Sequence, residues 1–360
     1  MLYHFSQWIA EYNNDFSVFQ YITLRAILAT ISALIISWVL GPWTIAKLVN
    51  LRFKQAIRED GPQAHLKKTG TPTMGGVLII SAIAISSLLW ADLSNPYYWV
   101  ALGVTIGFSL VGFVDDFLKI KHNNSKGISV MQKYFSLSLI AIIAATLLYS
   151  MADGAEKTDL LIPYGKDLII PIGILFIPLA YFVMLGASNG VNLTDGLDGL
   201  AILPTAMIAS ALAIFAYVSG HFHFAEYLRL PFIAGNGEIA IFCCSIVGAG
   251  LGFLWFNAYP AQLFMGDVGA LGLGGALGIV AIIVRQELVF FIMAGIFVIE
   301  TLSVMLQVGS YKLRGKRLFL MAPIHHHFEL KGWAEPKIIV RFWIITLILV
   351  LVGLASLKIR

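Results

Sequence analysis

The feature that most constrains this fold is the repetition of apolar runs about as long as a bilayer is thick. A spanning helix needs about 20 mostly apolar residues, and roughly ten segments qualify. They run near 22–46, 74–91, 97–114, 132–151, 169–187, 200–219, 238–256, 268–284, 288–308 and 338–357. The second and eighth are the weakest, being rich in Gly or Ser. Hydrophobic residues make up 59% of the chain and charged ones 12%. Average soluble domains carry roughly 45–50% and about 25%. The chain therefore reads as an all-α integral membrane protein, a single polytopic domain over residues 1–360. No internal repeat suggests a transporter made of two related halves. No basic domain stands apart from the spans, so nucleic acid is a poor candidate partner.

The first twenty residues hold Glu11 and Asp15 but no Lys or Arg, so no cleavable signal peptide is expected. Cys243 and Cys244 are adjacent in an apolar run. They read as small core residues, since neither a disulfide framework nor metal-ligand spacing is present.

Loop charge gives the orientation. Lys47, Arg52, Lys54, Arg58, Lys67 and Lys68 follow the first span, and Lys119, Lys121, Lys126 and Lys133 the third. Lys312, Arg314, Lys316, Arg317, Lys331 and Lys337 follow the ninth. The opposite side has only Lys157, Lys166, Arg229, Arg285, Lys358 and Arg360. The bias places the first group in the cytoplasm and both termini outside it.

On that map Asp115, Asp116, Asp195, Asp198 and Asp267 share the cytoplasmic face, near headgroup depth. An acid at the hydrocarbon costs about 2.5–3.5 kcal/mol on insertion scales, so a repeated pattern of them reads as functional. The loops bearing Asp195, Asp198 and Asp267 hold no Lys or Arg, which leaves a divalent cation as the simple partner.

Asp115 and Asp116 follow Gly112-Phe-Val. Adjacent helical residues lie about 100° apart, so the two carboxylates diverge. Asn192, Asp195 and Asp198 recur every three residues and fan over one side of a helical turn; an N-cap explains one acid but not the set. Asp267, between Gly266 and Gly269, suits a magnesium site, where hard oxygen ligands and substrate phosphates share the ion. Thr69-Gly-Thr-Pro-Thr73-Met-Gly-Gly76 offers small residues, hydroxyls and amides at a helix start beside Lys67 and Lys68, a combination that favours anions. His325, His326 and His327 are successive and point in different directions, unlike zinc ligands. They suit phosphate or sugar hydroxyls. Glu300 is deep in the ninth span and either lines a groove or pairs with a polar neighbour. His221 and His223 read as surface residues on the far side.

The runs Gly112–Asp116, Asn192–Gly199, Phe264–Asp267 and Met321–His327 together resemble the polyprenyl-phosphate N-acetylhexosamine-phosphate transferases, in their muramoyl-pentapeptide branch. The resemblance covers essentially the whole chain. It implies a ten-helix fold in the bacterial cytoplasmic (inner) membrane, with both termini periplasmic and the active site on the cytoplasmic face. It implies transfer of phospho-N-acetylmuramoyl-pentapeptide from its UDP derivative to undecaprenyl phosphate. The products are UMP and the first lipid-linked peptidoglycan precursor of the cell wall. Magnesium and a homodimer are also implied. A related enzyme using UDP-N-acetylglucosamine is the nearest alternative. An ion or anion transporter is the alternative from another class, and only Glu300 is clearly deep enough for one.

The resemblance also implies roles. Asp267 is the first choice for a magnesium ligand. Asp115 would orient or deprotonate the lipid phosphate, and Asp116 would support the ion or the lipid site. Lys68, Thr73, Asn192, Asp195, Asp198, Asn257 and Phe264 would line the nucleotide-sugar site, with Asn257 and Phe264 addressing uracil. His325, His326 and His327 would contact the sugar-phosphate region, and Lys119 and Lys133 would hold phosphate. Direct attack by the lipid phosphate is preferred to an aspartyl intermediate, because that phosphate is already a competent nucleophile at neutral pH.

Overall fold

A computed structural model describes residues 1–51, 70–122, 127–152, 158–165 and 168–359. The helices in chain order are α1 (Leu2–Ala10), α2 (Ile22–Asn50), α3 (Gly76–Trp90), α4 (Pro96–Lys121), α5 (Val130–Met151), α6 (Phe176–Thr194) and α7 (Ile202–Ser219). They continue as α8 (Phe222–Leu228), α9 (Gly237–Asn257), α10 (Gly266–Ile283), α11 (Glu287–Met293), α12 (Gly295–Arg314), α13 (Ile324–Leu330) and α14 (Glu335–Ala355). A two-stranded antiparallel hairpin, β1 (Asp159–Leu161) with β2 (Ile169–Pro171), precedes α6 and pairs Leu160 with Ile170.

Among the described residues nine helices are long and apolar enough to cross a membrane. The expected second span, 74–91, is instead the 15-residue α3. Its first residues are drawn into a turn, with Met74 at φ 72°. The expected fifth span, 169–187, starts too early: Ile169–Pro171 is a strand, and the helix runs from Phe176 to Thr194. The apolar run hid the change because hairpin and helix are equally greasy. The expected ninth span, 288–308, is two helices that break at Ala294. The second of them continues to Arg314, where Gly315 at φ 64° closes it in the left-handed conformation that glycine tolerates best.

Local chemistry sets several starts. Asn95 accepts from the Tyr97 N–H (2.9 Å), with Pro96 in the first turn of α4. Ser129 and Gln132 form a reciprocal capping box on α5.

α10 is the central helix. It packs on α3, α4 and α6 and also meets α7, α9 and α11. Its sequence is glycine-rich, which made it a weak span signal; in the bundle the same property lets backbones approach closely. A Cβ built at Gly274 would lie closer than 3.0 Å to the backbone of α6. Ser188 on α6 donates to Leu271 O on α10 (3.1 Å). α9 is wedged between α2 and α7.

At one end of the bundle a buried ion pair joins helix ends. Arg25 Nη1 and Nη2 donate to Glu238 Oε2 (2.7 Å) and Oε1 (2.6 Å), and Arg25 also reaches Trp90 O (3.1 Å). The Asp92 N–H donates to Glu238 Oε2 (2.9 Å). Both partners are nearly sealed from solvent, so losing either would strand a charge. The α-amino group of Met1 donates to Leu88 O (2.6 Å) at the same end.

Candidate active site

Asp115 and Asp116 lie in the last turns of α4, both buried. The apolar reading ended at residue 114, whereas the helix propagates through Phe117–Lys121. The two carboxylates diverge with one oxygen each: Asp115 Oδ1 accepts from the Ile128 N–H (2.9 Å), and Asp116 Oδ2 from the Val268 N–H (3.2 Å). Their other oxygens converge. Lys119 Nζ lies 2.6 Å from Asp115 Oδ2, 3.5 Å from Asp116 Oδ1 and 3.0 Å from Asp267 Oδ2. Lys133, from α5, lies 2.6 Å from Asp267 Oδ2 and 3.6 Å from Asp115 Oδ2.

Asp267 sits in the first turn of α10. Asn192 Nδ2, near the end of α6, donates to its Oδ1 (2.8 Å). Asp115, Asp116 and Asp267 each bring an oxygen within 4.8 Å of the others. Like charges at this spacing repel by on the order of 4 kcal/mol per pair at an effective dielectric of 20. A cation or a shared proton relieves that, and an all-carboxylate donor set suits a hard divalent ion. Lys119 now touches all three carboxylates, so an ion held there would share their oxygens with its ammonium.

Close helix crossings hold this arrangement. A Cβ at Gly112 would fall closer than 3.0 Å to the carbonyl of Asp267. One at Gly76 would fall equally close to the Gly269 backbone. Gly75 and Gly76 donate their N–H groups to Phe264 O and Met265 O (both 2.8 Å), and Phe264 N–H donates to Pro72 O (2.9 Å). The turn expected to bind an anion through its amides therefore spends these two on the segment before Asp267. Thr73 is buried there, and its hydroxyl lies near Gly266. Lys68 and Thr69 lie outside the described residues.

The Asn192–Gly199 segment ends α6 and turns into the next loop. Asp195 caps the helix end and is half-buried. Desolvation there, with the negative charges of Asp267, Asp116 and Asp198 nearby, raises its carboxyl to about 8. Asp198 is buried; its Oδ2 accepts from the Ala261 N–H (2.9 Å), and its own N–H donates to Glu335 Oε1 (3.1 Å). Asn257 accepts from the Gly199 N–H (3.1 Å) and donates to Leu263 O (2.8 Å). Asp198 and Asn257 thus brace the loop that carries Phe264, whose half-buried ring belongs to the same turn.

The three histidines begin α13 and have three different partners. His325 Nδ1 faces Glu300 Oε1 (3.1 Å), His326 Nδ1 faces Glu329 Oε2 (2.6 Å), and His327 Nδ1 accepts from the Leu320 N–H (3.1 Å). Gln307, seven residues after Glu300 on α12, accepts from the N–H groups of Leu318 and Phe319 (both 2.9 Å). Glu300 is thereby a partner of the histidine segment. The Glu300–His325 contact spans 25 residues, so spacing could not have found it. His221 precedes α8 as its N-cap residue and His223 lies on it, both apart from this cluster and exposed.

The profile of glycosyl transferase family 4 matches residues 98–285, which include Asp115, Asp116, the Asn192–Gly199 segment and Asp267. Phospho-N-acetylmuramoyl-pentapeptide-transferase signature 1 matches residues 68–80, the segment whose Gly75 and Gly76 bind the turn before Asp267. With over half its length in the first match, and the second folded against the metal-competent aspartates, the chain belongs to glycosyl transferase family 4, among the phospho-N-acetylmuramoyl-pentapeptide transferases.

Proposed function

We propose that Asp115, Asp116, Asp267, Lys119 and Lys133 form the reacting centre of this transferase. The reaction moves phospho-N-acetylmuramoyl-pentapeptide from its UDP derivative to undecaprenyl phosphate, giving lipid I and UMP. A lipid-phosphate oxygen attacks the sugar-bearing phosphorus, and the pyrophosphate bond to UMP breaks. The observation that carries this assignment is the convergence of three carboxylates with two lysines at one end of the bundle.

Magnesium suits this donor set, with Asp267 as its first ligand and Asp115 or Asp116 beside it; when bound it neutralises pyrophosphate charge and the leaving UMP. Asn192 fixes one Asp267 oxygen, so that the other is presented in a set orientation. Asp115, held by the Ile128 N–H, orients the lipid phosphate or takes its proton. Lys119 and Lys133 offset the negative charge of the two phosphorylated reactants. Thr73, Asp195 and Phe264 line the donor side, and Lys68 of the signature segment, outside the described residues, would serve the same substrate. Asp198 and Asn257 keep its loop in place.

The protein works in the bacterial inner membrane as a homodimer, with this end of the bundle cytoplasmic and both termini periplasmic. Lys312 and Arg314 lie in the last turn of α12 and Lys316 and Arg317 follow it at the site end, as the positive-inside bias requires.

UMP release from the muramoyl-pentapeptide donor tests the assignment. Release should require both magnesium and undecaprenyl phosphate. Undiminished release in chelator would overturn the metal assignment. Exchange of labelled UMP into the donor without polyprenyl phosphate would replace direct attack with an enzyme-bound intermediate.

A further inference from the structure

Glu300 lies in the second turn of α12, and neither it nor His325 has any side-chain exposure (0% each). A carboxylate at that depth is costly unless it has a task. Both of its oxygens address the start of α13. Oε2 accepts from the Ile324 N–H (2.8 Å), and Oε1 lies 3.1 Å from His325 Nδ1.

The other face of the same imidazole is different. His325 Nε2 is buried and has no hydrogen-bond partner among the described residues. It abuts the backbone of Gly196, where a side chain would collide with it at under 3.0 Å. Gly196 sits between Asp195 and Asp198. Nε2 therefore faces the backbone of the Asn192–Gly199 segment, which the proposed function sets on the donor side, and a ligand group meets it only where Gly196 gives way.

The geometry points to Glu300 as a positioning residue that sets the tautomer of His325. A carboxylate only accepts, so Nδ1 carries a proton, and in the neutral imidazole Nε2 presents a lone pair. A lone pair rejects a phosphate oxygen, which is also an acceptor. It selects a hydroxyl or N–H of the nucleotide sugar. A buried acceptor left unpaired is unfavourable, so that contact also contributes to donor binding. This assignment rests on the reading of His325 as a donor-site residue, and it replaces phosphate with a donor group as that residue's target.

Glu300→Gln is nearly isosteric and reverses the pattern. Its carbonyl takes the Ile324 N–H, and its amide then donates to Nδ1, which moves the ring proton to Nε2. Nitrogen spectra of histidine-labelled protein, with His325→Ala used to identify the signal, should show a protonated Nδ1 in the parent and a protonated Nε2 in the variant. The kcat/KM for the nucleotide donor should fall about 10- to 100-fold, the usual effect of losing the partner that orients a functional histidine. The KM for undecaprenyl phosphate should hold.

His325→Ala should lose activity at least as severely, and the double variant should be no worse than His325→Ala. A Glu300→Gln loss that persists in full in the His325→Ala background would overturn the proposal. So would an unreversed tautomer, or equal weakening of both substrates. Full turnover in His325→Ala would instead remove the histidine from the site, and the positioning role with it.

Discussion

Asp267→Asn should cut turnover by on the order of 10²–10³-fold, the scale of losing one electrostatic stabiliser of a charged transition state. The reason is local. Asp267 is the one carboxylate of the three that reaches both lysines and Asn192, and it starts the central helix. Asn keeps the size and one acceptor oxygen but removes the charge. Lys119 remains 2.6 Å from Asp115, so the variant should fold and melt close to the parent. UMP release and a thermal melt, measured on one detergent preparation, separate the two effects. Magnesium should also protect the parent against heat more than the variant, because an ion that binds only the folded state stabilises it. Unchanged turnover would remove Asp267 from the metal site.

Gly112→Ala should damage both stability and activity, although alanine is the better helix former. The added Cβ meets the Asp267 carbonyl at under 3.0 Å. The obstacle is backbone, so no side chain can swing away, and α4 and α10 must separate. Overpacking of this kind typically costs about 1–3 kcal/mol. The shift also moves Asp267 relative to Asp115 and Asp116, and a displacement near 1 Å can cost about 10²-fold in rate. Gly103→Ala on the same helix is the control, because nothing lies within 4 Å of its Cβ position. Equal melting points and equal rates for the two variants would show that the crossing does not hold the site.

The acids were legible because charge is conspicuous in a chain this apolar. Asp115, Asp116 and Asp267 stood out singly, and loop charge placed them on one face. Asn192 was legible from its threefold spacing with Asp195 and Asp198. Their partners were not. Ile128 and Val268 act through backbone N–H groups, which no residue type advertises. Gly112 matters only because α10 crosses there, a fact of tertiary packing. Glu300 was visible as an anomaly, yet its partner depends on how the segment after α12 folds back. The early start assigned to the fifth span has the same origin. Apolarity reports burial in the membrane or the protein, and it does not separate the Ile169–Pro171 strand from the helix that follows.

The shortness of α3 has a geometric consequence for catalysis. Fifteen residues reach roughly 22 Å at about 1.5 Å per residue, against about 30 Å of hydrocarbon. The neighbouring α2 has 29 residues and rises well past it. The turn at Thr73–Gly76, hydrogen-bonded to the segment before Asp267, therefore starts α3 short of the end that α2 reaches. A reactant that meets Asp267 from that end would pass the last turns of α2 before it reaches the carboxylates.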